Sequence, residues 1–329
     1  MSNTRSSSGK LSIFVTRRWP QAAEAALGEH FDVTLNDGDK PLSRDALIDG
    51  FASHDIAAPT VSDKIDAEIV AAGAAGKCRL ISNYGVGVNH IDLAAAAAHD
   101  IPVTNTPGVL TDATADITMT LMLMLCRRAG EGERELRAGE WTGWRPTHLV
   151  GRALSGRTLG IIGMGRIGRA VAHRAHFGFG MDVVFQNRSP IADGAGVGGR
   201  QRTDVAAVCA ASDFVSLHCA ATTETANIMN ADAIAAMRPG GYLINTARGD
   251  VVDETALAKA LHDGVIGGAG LDVFQGEPQI NQALLSAPNT VLLPHLGSAT
   301  EETRVAMGMK VVENARAFAA GFALPDKAG

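Results

Sequence analysis

The stretch "TLGIIGMGRIGRAVAHRAHFGFGMDVVFQNRSP", residues 158–190, reads as an apolar strand, a glycine-rich turn, a helix and a second apolar strand. Gly163, Gly165 and Gly168 stand in GxGxxG spacing where the strand gives way to the helix. Each has a physical task. Gly163 permits a tight turn, Gly165 lets the backbone approach a pyrophosphate, and Gly168 lets the helix pack closely on its strand. Arg166 and Ile167 open the helix, whose first N–H groups and positive dipole end favour phosphate. A lone GxGxxG is a weak motif; with strand and helix in register around it, it points to a bound dinucleotide. It also imposes a βαβ unit, and with it a parallel sheet covered on both faces.

The rest of the chain repeats that texture. "LSIFVT" (11–16), "FDVTLN" (31–36), "IAAPTVS" (56–62), "CRLISNYG" (78–85) and "IPVTNTP" (101–107) are strand-like. Alanine-rich helical stretches such as "QAAEAALGE" and "DAEIVAAG" separate them. A second set follows from 158: "TLGIIG", "DVVFQN", "DFVSLHCA", "GYLINTA", "GAGLDVF" and "TVLLPH". Two such sets predict an α/β protein with two doubly wound parallel-sheet domains. Between them, "LTDATADITMTLMLMLCRRAGEGERELRAGEW" predicts one long helix capped by Thr111 or Asp112, and a closing helix follows Pro294.

Composition excludes several function classes. At 329 residues and 46% hydrophobic, the chain can fill two cores. A net charge of −6 gives no reason to expect nucleic acid as a partner. The apolar run "ITMTLMLML" is about half of what a bilayer requires, so no membrane association is expected. Cys78, Cys126, Cys209 and Cys219 share no paired spacing, which predicts no disulfide and no metal site and fits a reducing cytoplasm. The opening "MSNTRSSSGK" lacks an apolar core segment and reads as a frayed tail, not a secretory signal.

Which dinucleotide binds depends on the end of the strand "DVVFQN". An acid that takes the adenosine ribose hydroxyls belongs about 20 residues past the glycine turn. Asp182 lies at the wrong end of that strand, and Asn187 holds the expected place. A neutral Asn does not repel a 2′-phosphate, while Arg188 offers a charge and Ser189 a hydroxyl. NADP(H) is therefore the preferred cofactor. NAD(H) stays acceptable if Arg188 merely stacks on adenine.

Three later segments set reactive side chains at strand ends, where open α/β sheets bind ligands. "INTARGD" carries Ala247 and Arg248; "LDVFQGEP" carries Asp272 and Glu277; "LLPHLGSAT" carries His295, Gly297 and Ser298. Singly these are ordinary: an Arg after a strand is usually a surface charge, and a His near a helix start is usually a cap or core residue. Together they suit reduction of a 2-oxo acid beside a nicotinamide. Arg offers a planar, permanently charged fork to carboxylate and carbonyl oxygens. His gives the proton as hydride arrives, oriented by a neighbouring carboxylate.

On these motifs, with "SNYGVGVNHIDL" and "NTPGVLTDATAD", the chain resembles the D-isomer-specific 2-hydroxyacid dehydrogenases over nearly its whole length. The resemblance implies that Arg248, Glu277 and His295 are the catalytic three. It implies that the N–H groups of Val86 and Gly87 take the substrate carboxylate, with Ser298 also on the substrate, and that Asp272 lies near the nicotinamide. Cys219, Ala247 and Gly297 join the glycine turn as cofactor contacts. A Rossmann-type cofactor domain (106–296) is implied to be inserted in a flavodoxin-like substrate domain (1–105 and 297–329). The segment "GEWTGWRPTHLVG" looks most like glyoxylate and hydroxypyruvate reductases, in which a tryptophan reaches the neighbouring subunit of a homodimer. Trp144 is the candidate, Trp141 the second. The expected reaction is reduction of glyoxylate or hydroxypyruvate to glycolate or D-glycerate. Another D-2-hydroxyacid dehydrogenase, acting on lactate or a larger acid, is the alternative, and a dinucleotide-sensing protein like the corepressors of this fold is a more distant one.

Overall fold

The computed structural model describes residues 9–328, so most of the polar opening segment read as a tail lies outside the described residues. The chain divides into two compact units. One runs to Leu110 and resumes at Ala299, and the other is Thr111–Ser298. The first division falls five residues later than the sequence suggested. Asn105 Nδ2 donates to Val86 O at 2.8 Å and Thr106 N to Gly85 O at 3.1 Å, which ties this segment to the first unit.

The first unit holds a five-stranded parallel sheet of β1 (Ser12–Val15), β2 (Asp32–Leu35), β3 (Ile56–Ala58), β4 (Leu80–Ser82) and β5 (Val103–Thr104), ordered β2-β1-β3-β4-β5. That is the flavodoxin-like order. Alternate strand residues feed opposite cores. Ile13, Val15, Ile56 and Leu80 meet Leu27 and the closing helix residues Met307 and Val311 on one face. Phe14, Ala57 and Ile81 meet Phe51 and Ile69 on the other. Both faces are apolar, so the strands read as apolar runs and not as alternating patterns. A helix over Arg44–Ser53, begun by Ser43, was not legible from periodicity.

The second unit holds seven parallel strands: β6 (Thr158–Ile162), β7 (Asp182–Gln186), β8 (Arg200–Gln201), β9 (Phe214–Leu217), β10 (Tyr242–Asn245), β11 (Gly268–Leu271) and β12 (Thr290–Leu292). Their order is β12-β11-β10-β9-β6-β7-β8. Counted from its own first strand, this is the doubly wound 3-2-1-4-5-6 arrangement with a seventh strand added. The order reverses beside β6, which pairs with β7 on one side and β9 on the other. Ligands bind at the carboxyl ends of the strands at such a switch point.

The expected long helix is two helices. Thr111–Cys126 buries nine residues, and Ala129–Ala138 buries none. Arg128 between them is left-handed, with φ +51°. The break is a tertiary effect: Arg152 N donates to Cys126 O at 2.8 Å, taking a carbonyl that a continuing helix would use. Thr111 is the first helical residue and no cap, and Asp112, with Asp116, pairs with Arg174 at 2.9 and 2.7 Å. Among the described residues no helix is long and apolar enough to cross a membrane.

Candidate active site

The glycine turn sits at the switch point, and its three glycines differ in what requires them. Gly163 has φ +95°, and a Cβ there would come within 2.6 Å of Cys219 N. A Cβ at Gly168 would collide with the Gly163 carbonyl. Those two glycines are demanded by the fold. A Cβ at Gly165 would meet nothing within 4 Å, and its φ is an ordinary −79°. The open space therefore lies at the glycine that the sequence expects to admit a pyrophosphate. Arg166 and Ile167 begin the helix Arg166–His173, and so leave N–H groups with no intrahelical partner. These residues fit a pyrophosphate.

Asn187 lies just past β7, and its carboxamide is folded back. Oδ1 accepts from Met164 N in the glycine turn at 3.1 Å, and Nδ2 donates to Ser189 O at 2.9 Å. Gln201, on β8, steadies the same loop by donating to Asn187 O at 3.1 Å. Arg188 and Ser189 are exposed. Behind the turn, burial pushes the Cys219 thiol up. Next to it stands His218, which no motif in the sequence marks. Its Nε2 lies 2.9 Å from Ser216 Oγ, and its buried Nδ1 has no partner among the described residues. Burial lowers it to about 3, so the ring is neutral.

Asn245, 1% exposed, shapes the loop after β10. Its Oδ1 accepts from Ala247 N at 3.0 Å and its Nδ2 donates to Arg248 O at 2.7 Å. Gly249 follows, where any Cβ would overlap the Phe274–Gln275 backbone. That contact brings the Arg248 loop against the segment leading to Glu277. Arg248 is half-buried, and its guanidinium donates to Ala247 O at 2.7 Å. Burial lowers its pKa against the charges of Glu277 and Asp250, and it remains a cation throughout the physiological range.

The His295 backbone is left-handed, with φ +56°. Asp272, 1% exposed, fixes that bend: its carbonyl accepts from His295 N at 2.9 Å. Its carboxylate takes Leu296 N at 2.6 Å and Gly297 N at 2.7 Å. Burial pushes Asp272 up, against those two N–H donors and the charge of His295. Its oxygens are thus spent on holding the loop. Thr114 Oγ1 anchors the same loop at Gly297 O, 2.9 Å away.

The bend aims His295 at Glu277, with Nδ1 to Oε2 at 2.8 Å. Glu277 Oε1 accepts from Phe274 N at 2.9 Å. Burial pushes Glu277 up, but the His295 hydrogen bond and charge, the Phe274 N–H and the charge of Arg248 outweigh it, and its pKa lies below the ordinary value. An ionised carboxylate can only accept, so Nδ1 carries a hydrogen and Nε2 is left to exchange a proton. The structure therefore gathers Arg248, Glu277, His295 and Asp272 on adjoining loops.

Val86 and Gly87 belong to the first unit, in a turn after β4, and both are half-buried. Trp144 is 82% exposed and Trp141 is also exposed, on an irregular segment of the second unit. Among the described residues no cluster of His, Cys, Asp and Glu is placed to hold a metal.

A doubly wound unit with a ligand-ready glycine turn and an Arg–Glu–His set on its strand ends defines a nicotinamide-dependent oxidoreductase. Residues 119–297 match the family described as the D-isomer specific 2-hydroxyacid dehydrogenase, NAD binding domain, and the chain belongs to that family. A glyoxylate reductase from Thermococcus litoralis is 41% identical over 316 residues, 95% of each chain. A glycerate dehydrogenase from Hyphomicrobium methylovorum is 39% identical over 90% of this chain and 92% of its own. Among solved structures, an NADPH-dependent glyoxylate/hydroxypyruvate reductase from Sinorhizobium meliloti, in complex with NADP and malonate, superposes with a TM-score of 0.85. It is 34% identical and covers 97% of each chain.

Proposed function

We propose that this protein reduces small 2-oxo acids, glyoxylate and hydroxypyruvate foremost, to glycolate and D-glycerate, and that it prefers NADPH to NADH. The observation that carries this reading is the 2.8 Å bond between His295 Nδ1 and Glu277, in a loop clasped by Asp272. A nicotinamide cofactor held at Gly165, Arg166 and Ile167 would supply hydride for the carbonyl carbon. Arg248 holds the substrate's oxygens and offsets the negative charge that develops on the carbonyl. His295 Nε2 delivers a proton to that oxygen, and Glu277 stabilises the protonated ring and fixes its direction. In the first unit, the N–H groups of Val86 and Gly87 are assigned to the substrate carboxylate.

The cofactor preference rests on Arg188 and Ser189, exposed beside a neutral Asn187 whose amide is already committed. The NADP-bound relative supports it. Exposure of Trp144 and Trp141 supports a homodimer in which one of them reaches the neighbouring subunit. The four free thiols fit the cytoplasm.

A matrix of glyoxylate, hydroxypyruvate and pyruvate against NADPH and NADH tests the proposal. Glyoxylate or hydroxypyruvate with NADPH should give the highest kcat/KM. Oxidation of neither cofactor with any acid overturns the enzyme reading in favour of a dinucleotide-sensing protein. Faster turnover with NADH overturns only the cofactor preference.

A further inference from the structure

The turn Gly85–Val88 has its carbonyls held from one side by two asparagines. Gly85 O accepts from Asn83 Nδ2 at 3.0 Å and from Thr106 N at 3.1 Å. Val86 O accepts from Asn105 Nδ2 at 2.8 Å. Gly87 O accepts from Asn83 Nδ2 at 3.0 Å. In a trans peptide the N–H of each residue points opposite to the preceding carbonyl. Three carbonyls drawn toward Asn83 and Asn105 therefore turn the N–H groups of Val86, Gly87 and Val88 the other way. Among the described residues none of these three donors has an acceptor, although all three residues are half-buried. Backbone donors so placed are normally satisfied, and the turn is set to receive an anion.

Asn83 is fully buried, and its Oδ1 lies 3.0 Å from His90 Nε2, so the carboxamide uses its donors and its acceptor at once. Only an amide does this. A carboxylate at position 83 or 105 would confront the carbonyls with a second acceptor.

We propose that Asn83 and Asn105 are positioning residues, which aim the turn's N–H groups at the substrate carboxylate without touching it. The inference rests on the assignment of Val86 and Gly87 to that carboxylate.

Asn105 is half-buried and is the better target, because the fully buried Asn83 also supports the fold. Asn105→Asp and Asn105→Ala are compared with Val86→Pro, which removes one of the N–H groups. The readouts are kcat and KM for glyoxylate, the inhibition constant of oxamate (an unreactive 2-oxo acid isostere with its carboxylate intact) and the NADPH dissociation constant. Losing the aim of one N–H should raise KM and the oxamate constant about tenfold in the Asn105 variants, the scale of one hydrogen bond to a charged group. Unchanged kcat and NADPH affinity should accompany that rise. Asn105→Ala carries the comparison if the charged variant does not fold. If Val86→Pro raises KM and neither Asn105 variant does, the positioning role is refuted and the N–H assignment stands. If Val86→Pro leaves KM and oxamate binding unchanged while NADPH still binds, the assignment itself fails. A fall in kcat at constant KM in the Asn105 variants also overturns the proposal.

Discussion

Alanine at position 165 separates what the fold needs from what the cofactor needs. A Cβ there meets no atom within 4 Å, and φ −79° suits any L-residue. Loss of glycine's freedom in the unfolded chain stabilises by about 0.4–1 kcal/mol. Gly165 is also the N-cap of the helix Arg166–His173, and alanine caps worse than glycine by up to about 1 kcal/mol. The two effects nearly cancel, so the melting temperature should move by no more than about 2–4 °C for a unit of this size. Cofactor binding should suffer far more, because the methyl group occupies the space through which phosphate reaches the helix N–H groups. Losing one charge-assisted hydrogen bond costs about 1.5–3 kcal/mol, which is roughly a 10- to 150-fold weaker dissociation constant. Gly163→Ala is the contrast: its left-handed backbone alone costs about 1–2 kcal/mol, before the overlap with Cys219 N. Thermal melting with NADPH fluorescence titration measures both quantities. Gly165→Ala binding NADPH within about twofold of the parent, a difference near 0.4 kcal/mol, would refute the assignment of that space to phosphate. So would a loss of stability equal to that of Gly163→Ala.

Substituting His295 by Ala should lower kcat by about 10²- to 10⁴-fold with cofactor affinity kept, since proton donation belongs to the transition state; a change confined to KM would remove it from that role. Arg188→Ala should weaken NADPH by about tenfold or more while sparing NADH, as compared in parallel titrations, and equal losses would mean that it does not read the 2′-phosphate. Glu277 has a lowered pKa, so its contribution to stability is complete above the unfolded value of about 4.3 and fades as pH falls through the lower folded value. Glu277→Gln should therefore flatten the dependence of melting temperature on pH in the window below about 4.3, and an unchanged slope there would contradict the pairing with His295.

Much of the site was legible because its residues sit at fixed offsets from strand ends. Arg248 follows β10, Glu277 follows β11 and His295 follows β12, and a parallel sheet gathers such ends on one edge. The supporting amides were not legible. Asn83, Asn105, Gln201 and Asn245 look like ordinary polar residues in or beside strands until their carbonyl and N–H partners are known. The sequence resemblance puts Asp272 near the nicotinamide, yet both its oxygens are engaged by backbone N–H groups. His218 gave no signal at all, since a histidine after a strand is unremarkable until its burial is seen.

The amino-acid sequence alone determined the two parallel sheets, the glycine turn and the order of reactive side chains along the chain. Those features depend on short-range periodicity and on the steric freedom of single residues, which nearby positions encode. Tertiary structure alone decided where the helix after Thr111 stops, because the carbonyl of Cys126 is taken by Arg152, 26 residues away. It decided that Asn187 turns back to the glycine turn, and that the loop of His295 bends around Asp272. The glycines showed the same division: their spacing marks a phosphate turn, but only packing reveals that backbone crowds the Cβ positions of Gly163 and Gly168 while that of Gly165 faces open space. A hydrogen-bonding group has many possible partners in a sequence, and the packed chain selects one.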